Sequence, residues 1–425
     1  VTTTSSLREL DRAHLWHPYT QHGLAPEALP VVSGKGALLE LEDGRTLVDA
    51  ISSWWVTLHG HAEPAIARAI AEQAQRLEQV IFAGFTHAPA AELAEGLVAA
   101  APRGLTRLFL SDNGSTAVEV ALKMALQFHQ HRGEKRTVVA TLEGAYHGDT
   151  FGAMSVSGRG VFTAPFEPLL FEVARLPEPV DGDVLGAFDR LLDARKGEVA
   201  ALIVEPLLQA AGGMRMWRSE LLGALSDRAR TAGVLLIADE VATGFGRTGP
   251  LWACDHSAVT PDLLCLSKGI TGGFLPLGAT LATERIFEAF RSEDRLRTFF
   301  HGHSYTGNPL ACAAAVASLE LLKAPACMAA RDRIEAQHQR ALDRLSASPH
   351  VRNPRVMGTV AALDLDAGQG YLARVGTELA RHARERGVLL RPLGNVVYIM
   401  PPYGITEAQL QQAWDAVGSF VEQLP

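Results

Sequence analysis

A chain of 425 residues with 47% hydrophobic and 20% charged residues carries enough apolar material for two domains, or one large domain with a satellite. Its formal net charge of −8, without a lysine or arginine cluster, argues against a nucleic-acid or anionic-membrane surface. Its four cysteines lack C-x-x-C spacing and no run of about 18 uncharged apolar residues exists, so a cytoplasmic, enzyme-sized protein without disulfides or a membrane span is expected.

The polar start, Val1-Thr2-Thr3-Thr4-Ser5-Ser6, lacks the basic and apolar regions of a secretory signal. Trp16-His17-Pro18-Tyr19-Thr20 is dense in aromatics, which predicts an arm docked on the body. Apolar runs 36–41 and 46–49 flank Glu42-Asp43-Gly44, a hairpin signal. In Ser52-Ser53-Trp54-Trp55, two adjacent tryptophans on an extended segment face opposite ways. One then packs in the core while the other lines a cavity; the alternative is that both are core. Amphipathic helices are predicted over 64–79 and 89–101, with the aromatic loop Phe82–His87 between them.

Leu108-Phe109-Leu110 reads as a strand running into Ser111-Asp112-Asn113-Gly114-Ser115-Thr116 and a periodic run to His131. Thr116 with Glu119 fits a capping box. A strand, a Gly-Ser turn and a helix start aim free amides at an anion, so Gly114 and Ser115 are candidate phosphate ligands. An ordinary capped helix is the alternative. After strand 137–141, Tyr146 stands between Gly144 and Gly148, placed to lie against a flat cofactor. Strand 200–204 ends in Glu205-Pro206, where Glu205 either acts in a site or satisfies backbone amides, the second being favoured.

The buried run 234–238 ends in Asp239-Glu240-Val241, and Leu263-Leu264-Cys265-Leu266 ends in Ser267-Lys268-Gly269. An acid and a lysine at neighbouring strand mouths are what pyridoxal phosphate requires: the lysine forms a Schiff base and the acid keeps a proton on the ring nitrogen. Gly269, Gly272 and Gly273 are read as leaving room for a flat group. Alone, such a pair is usually two solvated loop ends, so the rest of the chain decides. Strands and helices alternating from about 60 to 300 predict a mostly parallel sheet covered on both faces.

An alanine-rich helix is predicted over 309–323, then a mixed-charge helix over 327–347, a strand near 356–365 and a helix near 370–386. Val388–Arg391, a strand pair around Gly394-Asn395 and a closing helix over 406–423 complete an α+β tail. Arg391 at a strand end suits a carboxylate clamp, or else it pairs with a surface acid.

Three other readings compete. Gly244-Phe245-Gly246-Arg247-Thr248-Gly249 matches G-x-G-x-x-G, but no amphipathic helix follows, so an NAD-dependent dehydrogenase is disfavoured. His59-Gly60-His61 and His301-Gly302-His303 are H-x-H pairs lacking completing ligands, so no metal is expected. A non-catalytic scaffold leaves the Asp239 and Lys268 placement unexplained.

Residues 236–249 with Leu266-Ser267-Lys268-Gly269 resemble the signature of class III (ω-amino acid) aminotransferases, and the likeness spans nearly the whole chain. The Trp16–Thr20 arm, Ser52–Trp55, Gly144–Ser155, Arg391-Pro392 and Met400-Pro401-Pro402-Tyr403 point to a narrower group within it, since class III members do not usually carry the arm and the double tryptophan together. The resemblance implies an α/β fold-type I transferase: a large pyridoxal-phosphate domain (59–321) and a small α+β domain (1–58 with 322–425). It implies that Lys268 carries the cofactor and shuttles a proton, Asp239 pairs the ring nitrogen and Tyr146 stacks on the ring. Gly114 and Ser115 hold the phosphate, joined by His303 and Ser304 from a second subunit of a homodimer with shared sites. Tyr19, Trp54, Trp55, Gly302, Arg391 and Tyr398 shape a pocket for a keto acid acceptor and an amino donor, Arg391 taking the acceptor's carboxylate. His303-Ser304 stands where some members have Pro-Thr, and Ala83 where glycine is common, both near the donor end.

Overall fold

The computed structural model describes residues 6–368 and 370–425; the polar start, Val1 to Ser5, lies outside them. Its centre is a seven-stranded sheet in the order Leu105–Ser111, Gly278–Thr283, Leu263–Leu266, Leu235–Asp239, Val199–Val204, Val138–Leu142, Ala174–Leu176. Gly278–Thr283 runs antiparallel to both neighbours and the other pairings are parallel, as the alternating pattern predicts. The three central strands are continuous apolar runs because both faces are covered. Alternate side chains divide between two cores. Leu235 and Ile237 pack with Ala117, Val118 and Ala121 of helix Gly114–His131. Leu236 and Ala238 face the opposite way, into the core that holds Leu222, Leu225 and Trp252.

A four-stranded sheet joins the chain's two ends: Val31–Lys35, Leu38–Leu41 and Thr46–Asp49 pair in antiparallel order, and Val388–Leu389 adds in parallel. A three-stranded antiparallel sheet follows from Val351–Met357, Val360–Leu365 and Val396–Ile399. The single strand expected near 356–365 is thus a hairpin. Gly358, with φ +54°, makes the turn, and a side chain there would strike the backbone of Thr248 and Gly249. The predicted helices form, with shifted ends, at Pro64–Ala74, Ala88–Ala100, Pro309–Lys323, Pro325–Leu345, Arg374–Glu385 and Glu407–Val421. Among the described residues no single helix is long and apolar enough to cross a membrane.

The amino-terminal arm is docked at one point rather than along its length. Helix Leu7–His14 buries no residue and Trp16 is 92% exposed. Tyr19 anchors the arm: its ring packs edge-on against Trp54 and its hydroxyl donates to the Asp149 carboxylate.

Arg355 ties the three-stranded sheet to the loop after Val199–Val204. Its guanidinium donates to the carbonyls of Met214 (2.7 Å) and Gly213 (2.8 Å) and to Asp364 (2.8 Å). It also donates to the Asn353 carbonyl (2.6 Å), so with the side chain largely covered Arg355→Ala takes the donors from three carbonyls and one from the Asp364 carboxylate, which keeps Asn353 Nδ2. Denaturant unfolding should show a loss of about 2–3 kcal/mol; a change within 0.5 kcal/mol, the ordinary range for surface substitutions, would mean the clamp contributes nothing.

Candidate active site

Strands Leu235–Asp239 and Leu263–Leu266 run side by side with Asp239 opposite Cys265. Asp239 therefore emerges at the same sheet edge as the turn carrying Lys268. The two side chains face a cleft of about 410 Å³, lined also by Trp55, Gly114, Ser115, Tyr146, His147 and Glu205. This is the carboxyl end of a parallel sheet, where ligands bind in such folds.

Lys268 opens a 3-10 turn with φ +43°, a strained value for a side-chain-bearing residue. Its amine lies 4.5 Å from the centre of the Trp55 ring. Burial pushes its pKa down to about 8, opposed by the charges of Asp239 and Glu205. Of the glycines that follow, Gly273 lines the cleft, as expected, whereas Gly269 and Gly272 serve packing. A Cβ on Gly269 would meet Leu58 at 2.8 Å, one on Gly272 would meet Ile66 at 2.7 Å, and one on Gly273 would meet Thr57 at 3.0 Å.

Asp239 is held from two sides. Its Oδ1 accepts from the Val241 amide (3.1 Å), and its Oδ2 pairs with Nδ1 of His147 at 2.6 Å. The His147 ring is buried, its backbone amide donates to Ser157 Oγ, and its Nε2 has no hydrogen-bond partner among the described residues. Sequence reasoning did not assign His147 this role. Its position beside Tyr146 in the Gly144–Asp149 segment was the available signal. Glu205, fully buried, accepts from the amides of Tyr146 (2.9 Å) and Ala210 (3.1 Å), the role favoured from sequence, and burial pushes its pKa up to about 7. It thereby fixes the backbone that carries Tyr146.

Helix Gly114–His131 points its amino terminus into the cleft. The capping box is Asn113 with Thr116, not Thr116 with Glu119. Glu119 instead accepts from Thr150 Oγ1 and from the amides of Gly152 and Ala153, which ties down the neighbouring loop. Because Asn113 satisfies the Thr116 amide, those of Gly114 and Ser115 remain free for an anion. Gly114 is obligatory there: a Cβ would lie 2.8 Å from Val241 Cγ1.

At the cleft mouth the hydroxyls of Tyr146 and Tyr19 lie 3.2 Å apart, and burial raises the pKa of both phenols, that of Tyr19 to about 12. Ser52–Trp55 is a kinked helical turn with positive φ at Ser52, Ser53 and Trp55, not the extended segment expected, yet the two indoles still diverge. Trp54 is half-exposed under the guanidinium of Arg391, 4.4 Å from its ring centre. Among the described ion pairs Arg391 has no acidic partner, which leaves its fork free for a carboxylate. Trp55 is buried and donates Nε1–H to the Tyr398 hydroxyl at 3.0 Å. Tyr398 is 1% exposed, is not among the residues lining the cleft, and supports Trp55 from behind. Gly302, His303 and Ser304 do not line the cleft of their own chain. The His303 amide donates to Thr306 Oγ1, and the Ser304 carbonyl accepts from Gln79.

The competing motifs resolve into packing. Gly244–Gly249 is a buried turn followed by the short 3-10 helix Ala253–Ser257, and its Arg247 donates to the carbonyls of Pro401 and Trp55. His59 bonds Ser318, His61 bonds Asp49 and His301 bonds Lys123.

A buried amine with this depressed pKa is nucleophilic at lower pH than an exposed lysine. Brief formaldehyde–borohydride labelling of the cofactor-free chain, read by peptide mass spectrometry, should reach half its maximum at Lys268 near pH 8. A midpoint at 10.5, the ordinary value, would contradict the burial argument.

The family model described as aminotransferase class-III matches residues 19–421. An adenosylmethionine-8-amino-7-oxononanoate aminotransferase of Synechococcus elongatus is 53% identical over 97% of this chain and 99% of its own. Its counterpart in Geobacter sulfurreducens is 41% identical over 96% and 95%. The crystal structure of the enzyme of that name from Methanocaldococcus jannaschii superposes with a TM-score of 0.94 at 34% identity, covering 98% of each chain. A PLP-bound amine transaminase from an uncultivated Pseudomonas species superposes at 0.91 with 32% identity, covering 97% of this chain and 99% of that one. With its lysine, its aspartate and its helix amino terminus converging on one cleft, the chain belongs to the class III aminotransferases.

Proposed function

We propose that this chain transfers an amino group from S-adenosylmethionine to 8-amino-7-oxononanoate, giving the 7,8-diamino product of the biotin pathway, with pyridoxal 5′-phosphate as cofactor. The observation that carries the proposal is the shared cleft of Lys268, the His147–Asp239 pair and the open amides of Gly114 and Ser115. The relatives named for this reaction match over nearly their full length.

The residues present fit the cofactor. Free amides at a helix amino terminus suit its phosphate, the buried Lys268 amine suits its aldehyde, and Asp239 would hold the proton of its ring nitrogen. When bound, pyridoxal phosphate supplies an electrophilic carbon for amines and a ring that accepts electrons. Lys268 Nζ, partly neutral near pH 8, takes the proton from the substrate carbon and returns it on the other side of the transfer. His147 orients the Asp239 carboxylate, and Tyr146 closes one wall of the cleft. Arg391 and Trp54 fix the acceptor by its distal carboxylate and its aliphatic chain. Gly302, His303 and Ser304 complete the site of a second copy in a homodimer; the exposure of Phe300 (75%) and Tyr305 (66%) in the same loop supports a surface made to be covered. Lysine as donor is the second reading, favoured by His303-Ser304 and Ala83 at the donor end.

A two-donor assay decides: with the keto acid constant, adenosylmethionine should support turnover and lysine should not. Lys268→Ala should abolish turnover and the absorbance near 420 nm; persistence of both would overturn the assignment. Asp239→Asn should lower kcat by orders of magnitude with an unchanged unfolding midpoint. Arg391→Ala should raise KM for the keto acid more than for the donor, and equal effects would place its role elsewhere.

A further inference from the structure

A second cavity of about 260 Å³ opens off the main cleft and shares Tyr146, Gly148 and Ala211 with it. It is smaller than the roughly 300–1,000 Å³ of a whole ligand site, so it suits one end of a substrate already engaged in the cleft. Phe162 and Tyr371 form its outer wall, their rings edge to face with centres 4.7 Å apart. Phe162 also packs edge-on against Tyr19 at 5.7 Å, so a line of aromatic rings runs from Trp54 through Tyr19 and Phe162 to Tyr371. Four segments distant in sequence supply that line.

Tyr371 is not a loosely placed side chain. Its loop lies on the turn after Arg391: a Cβ on Gly394 would come within 1.9 Å of the Gly370 carbonyl, and both glycines have positive φ. The carboxylate clamp and the outer wall therefore rest on one support. Among the described residues Asp149 is the only carboxylate lining the side cavity, and the Tyr19 hydroxyl orients it. A sulfonium and an ammonium would suit Asp149 equally, so it does not separate the two candidate donors. The rings do separate them, because a flat base offers a stacking face and an aliphatic amine does not.

We propose that Phe162 and Tyr371 are specificity-determining residues that receive the purine end of the amino donor beside Tyr146. This rests on the adenosylmethionine reading above. In the two-donor assay, Phe162→Ala and Tyr371→Ala should each raise KM for adenosylmethionine about tenfold, the scale of one lost base–aromatic contact. KM for the keto acid should change less than twofold, and Tyr371→Phe should restore the donor KM. Adenosine should compete with the donor in the wild type, and calorimetry should show its binding weakened in both alanine variants. Equal losses for donor and acceptor, or unchanged adenosine binding in the variants, would overturn the proposal. Use of lysine and not adenosylmethionine by the wild type would also overturn it, while leaving the acceptor assignment intact. Failure of both donors to aminate the keto acid would instead remove the reading on which it rests.

Discussion

The parallel pairing of Leu235–Asp239 with Leu263–Leu266 is the constraint on which the rest of the molecule depends. It sets Asp239 opposite Cys265, three residues before Lys268, and so brings a carboxylate and an amine to one sheet edge. A slip of one residue would turn every side chain of a strand to the other face and exchange the two apolar cores. The burial that secures this register also takes Lys268 out of water and lowers its pKa to about 8. Packing and chemistry here have a common cause.

Around that pairing, buried polar groups are satisfied mainly by backbone. Glu205 accepts two amides of the Tyr146 and Ala210 segments, and Glu240 accepts those of Ala253 (2.7 Å) and Cys254 (2.9 Å). Burial pushes both carboxyls up to about 7, so each offers amide-accepting oxygens at reduced cost in buried charge. Arg247 works in the opposite sense: fully buried, it donates to two carbonyls and lies over the Tyr403 ring, linking the central turn to the carboxyl-terminal segment. These groups hold loops that the strands alone would leave free, and the cleft inherits its shape from them.

The cleft mouth is assembled differently. The arm (Tyr19), the kinked turn (Trp54) and the segment between strands Val138–Leu142 and Ala174–Leu176 (Phe162) each contribute one side chain, and the tail contributes two (Tyr371 and Arg391). An aminotransferase of this family must accept two unlike substrates in turn at one lysine. Its mouth is accordingly built from side chains that segments distant in sequence bring together.

Much of this was legible in the sequence because it is local. Buried strands announce themselves as unbroken apolar runs, the Asp239 and Lys268 positions follow from where those runs end, and the Gly114–Ser115 helix start follows from its turn residues. Tertiary structure alone decided what local pattern does not encode. His147 meets Asp239 across 92 residues of sequence, Trp55 meets Tyr398 across 343, and each contact exists only because the sheet order brings the segments together. Local pattern misplaces Gly269, Gly272 and the double-tryptophan turn for the same reason: space beside a glycine and the sign of a φ angle are set by what packs against the chain, for the two glycines Leu58 and Ile66.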